Sequence, residues 1–205
     1  MTIDLRLRTA LLLAIVSALS ACSALDSGSK SQPAKPTVSA PKSPTTASPA
    51  VSSHGKPTLA LGSAQGRPGE VVNVNAALAS GNASIAGTQN DIGFDSKQLT
   101  IVSTAKGKPD CVANRSLGKE GTAFSFMPPG CNGGPTCTGV RALVLSLSNT
   151  APIPNGSTLY TCKVHIASGA APGTYRLTNS RVGYSSPKGD AIDGAAGDGT
   201  VTAVK

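Results

Sequence analysis

Short segments in which apolar and polar residues alternate recur along the chain from Pro57 to its end. Val72, Val74, Ala76 and Leu78 show the pattern clearly. A side-chain period of two indicates a β-strand with one face in a core. We therefore predict strands over nine segments, at residues 58–63, 72–78, 85–95, 99–104, 124–126, 140–148, 160–166, 173–178 and 200–204.

Turn signals separate these segments, for example Arg67-Pro68-Gly69-Glu70, and no segment shows the period of an amphipathic helix. The chain has 23 glycines, 15 prolines and only 3% aromatic residues, which suits many short strands joined by turns. The segments together predict an all-β sandwich. Within the segment 140–148, the apolar positions of this period are Leu143, Leu145 and Leu147.

The first residues differ from the rest of the chain. Arg6 and Arg8 precede an apolar run at residues 10–19 that is too short to span a membrane permanently. Residues Leu19-Ser20-Ala21-Cys22 resemble the lipobox of bacterial lipoprotein signal peptides. The resemblance implies that residues 1–21 are a signal peptide and that Cys22 carries the lipid anchor; an ordinary secretory signal is the alternative.

Residues 22–56 form the next region, in which prolines are spaced among Ser, Thr, Ala and Lys. Such a composition predicts a disordered linker with polyproline II character. A lipid anchor followed by this linker would hold the domain of residues 57–205 away from a membrane of the cell envelope. The domain would face the periplasm or the exterior, on the outer membrane if the cell has two membranes.

Four stretches of the domain resemble a cohesin domain. They read LALGSAQGRPGEVVNVNAAL, IAGTQNDIGFDSKQLTIVS, PIPNGSTLYTCKVHIASGAAPGTYRLTNSRVGYSSPKGD and GDGTVTAV, in that order, and the resemblance runs from about residue 58 to residue 204. Cohesins are nine-stranded, jelly-roll-like sandwiches that hold dockerin domains in polysaccharide-degrading assemblies. The resemblance thus implies a binding module for a dockerin-like protein, with a link to polysaccharide degradation.

In cohesins one face of the sandwich binds the partner, and the resemblance places this face on residues 89–93, 122–126, 140–148 and 173–178. Its outward positions would include Gln89, Asp91, Ser125 and Arg176. As exposed single charges, Asp91 and Arg176 should tolerate reversal with little change in melting temperature.

Two other functions stay open. A carbohydrate-binding module usually stacks sugar rings on exposed aromatic residues. This chain has no Trp, and its three tyrosines, Tyr160, Tyr175 and Tyr184, fall mostly at inward positions. The other alternative is a structural envelope lipoprotein without a specific ligand.

Besides Cys22, the chain contains Cys111, Cys131, Cys137 and Cys162. In an exported domain these four cysteines predict two disulfides, with three possible connectivities. The segment between Cys131 and Cys137 is short and rich in glycine, so we predict that these two pair and that Cys111 pairs with Cys162.

The remaining chemistry favours a module without catalytic activity. His54 lies in the linker and His165 at an outward strand position, and neither has partners that suggest a catalytic group. The run from Asp190 to Asp198 lacks the ligand spacing of an EF-hand and predicts a polar hairpin. We expect no metal and no cofactor. The net charge of +8 is spread without a basic cluster, which argues against nucleic-acid binding.

Overall fold

The computed structural model describes residues 46–47 and 55–205. The predicted signal peptide of residues 1–21, Cys22, His54 and most of the predicted linker lie outside these residues. Within the described part of the chain, no helix is long and apolar enough to cross a membrane.

Fourteen β-strands are present among the described residues. They are β1 (Thr46–Ala47), β2 (Thr58–Leu61), β3 (Ser63–Gly66), β4 (Val71–Ala79), β5 (Gly87–Gly93), β6 (Leu99–Ile101), β7 (Cys111–Ala113), β8 (Ala123–Met127), β9 (Gly139–Val144), β10 (Thr158–Ile166), β11 (Gly173–Ser185), β12 (Ala191–Ile192), β13 (Ala195–Gly197) and β14 (Gly199–Ala203). A single 3-10 turn, Arg115–Leu117, lies between β7 and β8.

The strands form the two sheets of a sandwich. The eight-stranded sheet has the order β1-β3-β14-β11-β5-β9-β8, with β12 paired to β11, and the six-stranded sheet has the order β13-β2-β4-β10-β6, with β7 paired to β10. All nine predicted strands are present, which confirms the sandwich. Five short strands join them, and β1 pairs with β3 from within the predicted linker. Strand β11 runs to Ser185, well past the predicted end at residue 178.

The core lies between the sheets and is made of the alternate residues that the pattern predicts. In β4, for example, Val72, Val74, Ala76 and Leu78 are all buried. Strand β9 differs from the prediction. Its buried residues are Val140, Ala142 and Val144, so Leu143 projects from the other side of the sheet. The strand ends at Val144, and Leu145 and Leu147 lie beyond it, although the pattern predicted a strand as far as residue 148.

A chain of buried polar side chains crosses the core. The Tyr160 hydroxyl of β10 donates to Asn90 Oδ1 of β5 at 2.8 Å, and Asn90 Nδ2 donates to Asn179 Oδ1 of β11 at 2.9 Å. Asn179 Nδ2 then donates to the Leu59 carbonyl of β2 at 2.7 Å. Burial raises the pKa of Tyr160, so its hydroxyl stays a donor. These hydrogen bonds connect the two sheets at two points, and they give the buried side-chain amides of Asn90 and Asn179 partners within the core.

Two disulfides have the predicted pairing. Cys111 of β7 bonds to Cys162 of β10, and Cys131 bonds to Cys137 in the connection between β8 and β9. In the loop-entropy model a bridge across 51 residues stabilises by about 4 kcal/mol and one across 6 residues by about 2 kcal/mol. The first bridge thus secures the short edge strand β7 to the centre of its sheet.

Candidate partner-binding face

Strands β8, β9, β5 and β11 are neighbours in the eight-stranded sheet, and their outward residues form one continuous surface, here called the outer face. The sequence-predicted residues Gln89, Asp91, Ser125 and Arg176 all lie on it, because each alternates with a residue on the core side. Ser125 and Asp91 both pair in register with Arg141 of β9. The structure thus brings Asp91 and Ser125 together around Arg141, with Gln89 two residues away on β5, whereas Arg176 lies where β11 pairs with β14.

Asp91 is not a free charge. Nε and Nη2 of Arg141 donate to its two carboxylate oxygens, each at 2.7 Å, and Nε of Arg181 lies 3.8 Å from Oδ2. The Asp91 side chain is only 14% exposed, against 36% for Arg141 and 71% for Arg181. The hydrogen bonds from Arg141 lower the pKa of Asp91, and the charges of both arginines add to this. The cluster of one carboxylate and two guanidinium groups therefore carries a net positive charge.

Arg181 has an unusual backbone. The register of β11 against β5 shifts between Ser180 and Gly183, which places a β-bulge at this point of the outer face. Arg181 has a φ of 48°, and it is the only residue other than glycine with a positive φ among the described residues. A bulge re-aims the side chains it carries. Here it turns the guanidinium of Arg181 toward Asp91 while leaving most of that side chain in solvent.

Arg176 is also paired, with Asp198, which directly precedes β14. Its Nε donates to Asp198 Oδ2 at 2.6 Å, and the backbone N–H of Asn179 donates to Asp198 Oδ1 at 2.7 Å. The bond from Asn179 is the main reason that the pKa of Asp198 is lowered. The expectation that Asp91 and Arg176 are free surface charges is therefore wrong, since each has an intramolecular partner.

The residues from Asp190 to Asp198 form a polar connection in which the first and last acids have protein partners. Asp190 accepts from the Ser186 hydroxyl at 3.1 Å, while Asp198 is held by Arg176. Strands β12 and β13 lie in this connection. Within residues 55–205, no three His, Cys, Asp or Glu side chains are grouped as metal ligands.

An apolar strip, defined by Leu143, Leu145 and Leu147, begins on the outer face and continues past the end of β9. Leu143 lies in β9, Leu145 directly follows the strand, and Leu147 lies in the bend beyond it. The first two are half-buried, and Leu147 is 94% exposed. Beside the strip is a shallow groove of about 210 Å³, lined by Leu143, Leu145, Gln89 and two glycines. A Cβ added to Gly183 would meet no atom closer than 4.0 Å, so this glycine leaves open space in the groove.

Lys119 stabilises the turn that contains Leu147. This lysine is buried, and its Nζ donates to the carbonyls of Asn149 and Ala151 at 2.8 Å each. Burial lowers the pKa of Lys119. Glu120 accepts from the Ser146 hydroxyl at 2.8 Å. The end of the outer face near Leu147 therefore carries the Glu120 carboxylate beside the buried Lys119 ammonium, whereas the end near Arg141 has a net positive charge.

Among the described residues, no aromatic ring is exposed on the outer face for a ligand to stack on. All six lie within the described residues and none is exposed; Tyr160 and Tyr184 are in the core, as the alternation predicts. Phe124 packs edge-on against Tyr160, with ring centroids 5.2 Å apart. His165 lies on β10, in the six-stranded sheet, and so takes no part in the outer face.

Sequence reasoning missed Arg141, Arg181 and the orientation of the leucine strip. Arg141 lies at an outward position of β9, a strand that the resemblance placed in the binding face. The alternation along this strand could therefore have identified Arg141 as a residue of the face. Arg181 could not be found in this way, because the alternation from Leu177 and Asn179 assigns it to the inward side and only the bulge turns it outward. The left-handed backbone at Arg181 has no signal in the sequence, because such positions usually carry glycine or asparagine.

Comparison with known proteins gives the fold. No protein-family model and no curated protein sequence matches the chain. The structure of CaCohA2 from Clostridium acetobutylicum in complex with CaDoc0917 is similar, with a TM-score of 0.60 and 18% identity over 73% of this chain and 100% of that chain.

Two further cohesins are similar. The sixth cohesin of scaffoldin B from Acetivibrio cellulolyticus, in complex with the Cel5 dockerin, has a TM-score of 0.56 and 18% identity over 73% of this chain and 100% of that chain. A non-cellulosomal cohesin from the archaeon Archaeoglobus fulgidus has a TM-score of 0.54 and 15% identity over 74% of this chain and 93% of that chain. Residues of both sheets thus form the β-sandwich that the sequence resemblance implied, and the fold of this chain is that of the cohesins.

Proposed function

We propose that this protein is a membrane-anchored extracytoplasmic binding module that captures a protein partner through the outer face of β8, β9, β5 and β11. The apolar strip carries this proposal. Leu147 is 94% exposed and follows the half-buried Leu143 and Leu145 by four and two residues, and an exposed apolar surface rimmed by charges is typical of a protein interaction site.

The similar structures support a protein as the partner. Cohesins from Acetivibrio cellulolyticus and Clostridium thermocellum have been solved in complex with dockerins. We carry over the class of partner, a dockerin-like domain, and a role without catalysis. The link to polysaccharide degradation belongs to the same proposal, although the fold also occurs in a non-cellulosomal cohesin.

The lack of an exposed aromatic ring among residues 55–205 makes the outer face a poor surface for sugars. Stacking on Tyr or Trp supplies much of the contact between a protein and a sugar ring. The aliphatic strip and the ionic cluster instead suit a protein surface, whose interface cores are apolar and whose rims are polar.

The membrane anchor completes the proposal. Acylation at Cys22 would tether the protein, and the Pro-rich residues 22–56 would space the sandwich from the lipid. Two or three acyl chains suffice for stable attachment, whereas one chain binds only marginally. The module would then present its outer face to partners in the periplasm or outside the cell.

A capture experiment with two matched variants tests the proposal. The purified chain, its Leu147→Asp variant and its Val112→Asp variant are immobilised and exposed to lysate of the native organism. Val112 is a suitable control because it is also an exposed apolar residue, at 60%, but belongs to the six-stranded sheet. Captured proteins are identified by mass spectrometry and their binding is measured again with purified partner.

We expect a defined protein to bind the parent chain and the Val112→Asp variant, with binding at least ten-fold weaker for Leu147→Asp. Insoluble cellulose and chitin, tested in parallel, should retain little of any variant. Strong retention on a polysaccharide, or protein capture that Leu147→Asp leaves intact, would contradict the proposed function.

A further inference from the structure

The basic cluster on the outer face contains a guanidinium group, that of Arg181, whose donors are not used within the described residues. Arg141 directs two of its donors to Asp91, which this pairing neutralises. Arg181 approaches the same carboxylate only at 3.8 Å and makes no hydrogen bond among the described residues. Because 71% of the Arg181 side chain is exposed, the N–H donors of its guanidinium group face solvent. A second carboxylate, supplied from outside, would match the remaining charge and geometry.

The position of Arg181 is fixed by its backbone. The bulge and the φ of 48° direct the Arg181 side chain toward the Asp91–Arg141 pair. In a regular strand the residue at this position would point to the core side of the sheet. Backbone conformations that are unfavourable for most residues cluster at functional sites. Asp91 attracts the guanidinium on the side toward β5, so the cluster is organised before any partner arrives.

The groove and the basic cluster lie at a defined spacing. The groove is level with Gln89, and the cluster is level with Asp91, two residues further along β5. Two residues of a strand span about 7 Å. On an α-helix, residues i and i+4 are separated by about 6 Å along the axis. An aliphatic side chain in the groove and a carboxylate at Arg181 could therefore come from adjacent turns of one helix.

The outer face suits a helix better than an added strand. The backbone groups of β5 and β9 are paired on both sides within the sheet, so this surface presents side chains only. A strand adds at a sheet edge, whereas an amphipathic helix places its apolar side chains in a groove. Near the opposite end of the apolar strip, the charged groups are Glu120 and the buried Lys119, whose Nζ already donates to two carbonyls, so the exposed cation for an acidic side chain is Arg181.

We propose that the outer face selects an amphipathic helix in which an aliphatic residue, bound beside Leu143 and Gly183, is followed or preceded at one turn by a carboxylate bound by Arg181. This inference rests on the proposed function and specifies its partner. Arg181 is then a residue that determines specificity, and Leu147 supplies apolar contact without charge selection.

A displayed library tests this directly. The probe is a small helical scaffold with one helix face randomised, selected against the whole chain purified in detergent. Clones are kept only if Leu147→Asp weakens their binding, so that they bind the outer face. Each retained clone is then measured against Arg181→Gly and against Arg176→Gln, a control on the same strand whose arginine already pairs with Asp198.

The retained clones should be enriched in Asp or Glu three or four positions from an aliphatic residue. Their affinity should fall at least ten-fold on Arg181→Gly and change less than three-fold on Arg176→Gln. Replacing the clone's acid by Lys should abolish binding to the parent chain and restore it to Arg181→Glu.

Two results would overturn the inference, and they differ in what they mean for the function. Clones that depend on Leu147 but show no acidic preference, or bind Arg181→Gly unchanged, would remove the role of Arg181 and leave the docking face intact. A selection that yields no clone dependent on Leu147 would remove the docking face itself, and the inference with it.

Discussion

Asp91 of β5 and Arg141 of β9 are register partners, and Nε and Nη2 of Arg141 donate to the two carboxylate oxygens of Asp91 at 2.7 Å each. The pair joins the two central strands of the proposed docking surface. It also organises that surface, because the neutralised carboxylate holds Arg141 in place and attracts Arg181. A residue first identified as a contact for a partner is thus a positioning residue for the basic groups around it.

We expect this pair to contribute measurably to stability. A double-mutant cycle with Asp91→Asn and Arg141→Gln should give a coupling of about 1 kcal/mol in urea unfolding, near the upper end for partly exposed ion pairs because the geometry is bidentate. The matched cycle with Asp91→Asn and Arg181→Gln should give a smaller coupling, of about 0.3 kcal/mol, since those groups attract each other at 3.8 Å without a hydrogen bond. Equal coupling in the two cycles would contradict the assignment.

The buried Tyr160 hydroxyl should matter more than an exposed one. Tyr160→Phe leaves Asn90 Oδ1 without its donor in the core and should lower the free energy of unfolding by about 1–3 kcal/mol. Tyr175→Phe is the control, because the Tyr175 hydroxyl donates to the Ala171 carbonyl near the surface. That variant should lose less than about 0.5 kcal/mol. Similar losses in both variants would argue against a buried polar chain that links the sheets.

Strands β4 and β9 show how far the hydrophobic pattern predicts this fold. The alternation at Val72, Val74, Ala76 and Leu78 identifies β4 and its buried face, because one face is apolar and the other is not. In β9 both faces carry apolar residues, so the period alone assigns Leu143 and Val144 to a strand but cannot say which of them lies in the core.

The ionic cluster was beyond the reach of local patterns. The pairing of Asp91 with Arg141 joins residues 50 positions apart, and it depends on the register of two strands. Arg181 depends on a bulge that follows from the packing of β11 against β5. Disulfide pairing was easier, since the short Cys131–Cys137 loop restricted the choice to one arrangement.

Acid should destabilise the domain through Asp91 and Asp198. Both carboxyl groups have a lowered pKa in the folded state, Asp91 mainly through Arg141 and Asp198 mainly through the Asn179 N–H. Their contribution to the free energy of unfolding is therefore complete above the pKa of an unfolded Asp, about 3.9. It is lost as the pH falls through the lower pKa values of the folded state. Unfolding free energies measured from pH 6 to pH 2 should fall less steeply for Asp198→Asn than for the parent chain. An unchanged slope would exclude Asp198 as a contributor.

Lipid anchoring at Cys22 predicts a clear change in fractionation. The protein expressed in the native organism should enter the detergent phase and label with a fatty-acid analogue. In Cys22→Ser the label should vanish, and the protein should be released or accumulate as an uncleaved precursor, because the thiol that accepts the lipid is gone. A labelled or fully membrane-bound Cys22→Ser protein would refute the anchor.

The central claim is that a protein partner binds the outer face of the eight-stranded sheet. Photo-crosslinking in living cells of the native organism measures this most directly, with a photoreactive amino acid placed at position 147 or, as the control, at position 112 on the other sheet. We predict a defined crosslinked adduct from position 147 that Gly183→Val diminishes, because the added side chain occupies the groove, and none from position 112. Adducts from position 112 alone, or adducts from neither position, would contradict the account.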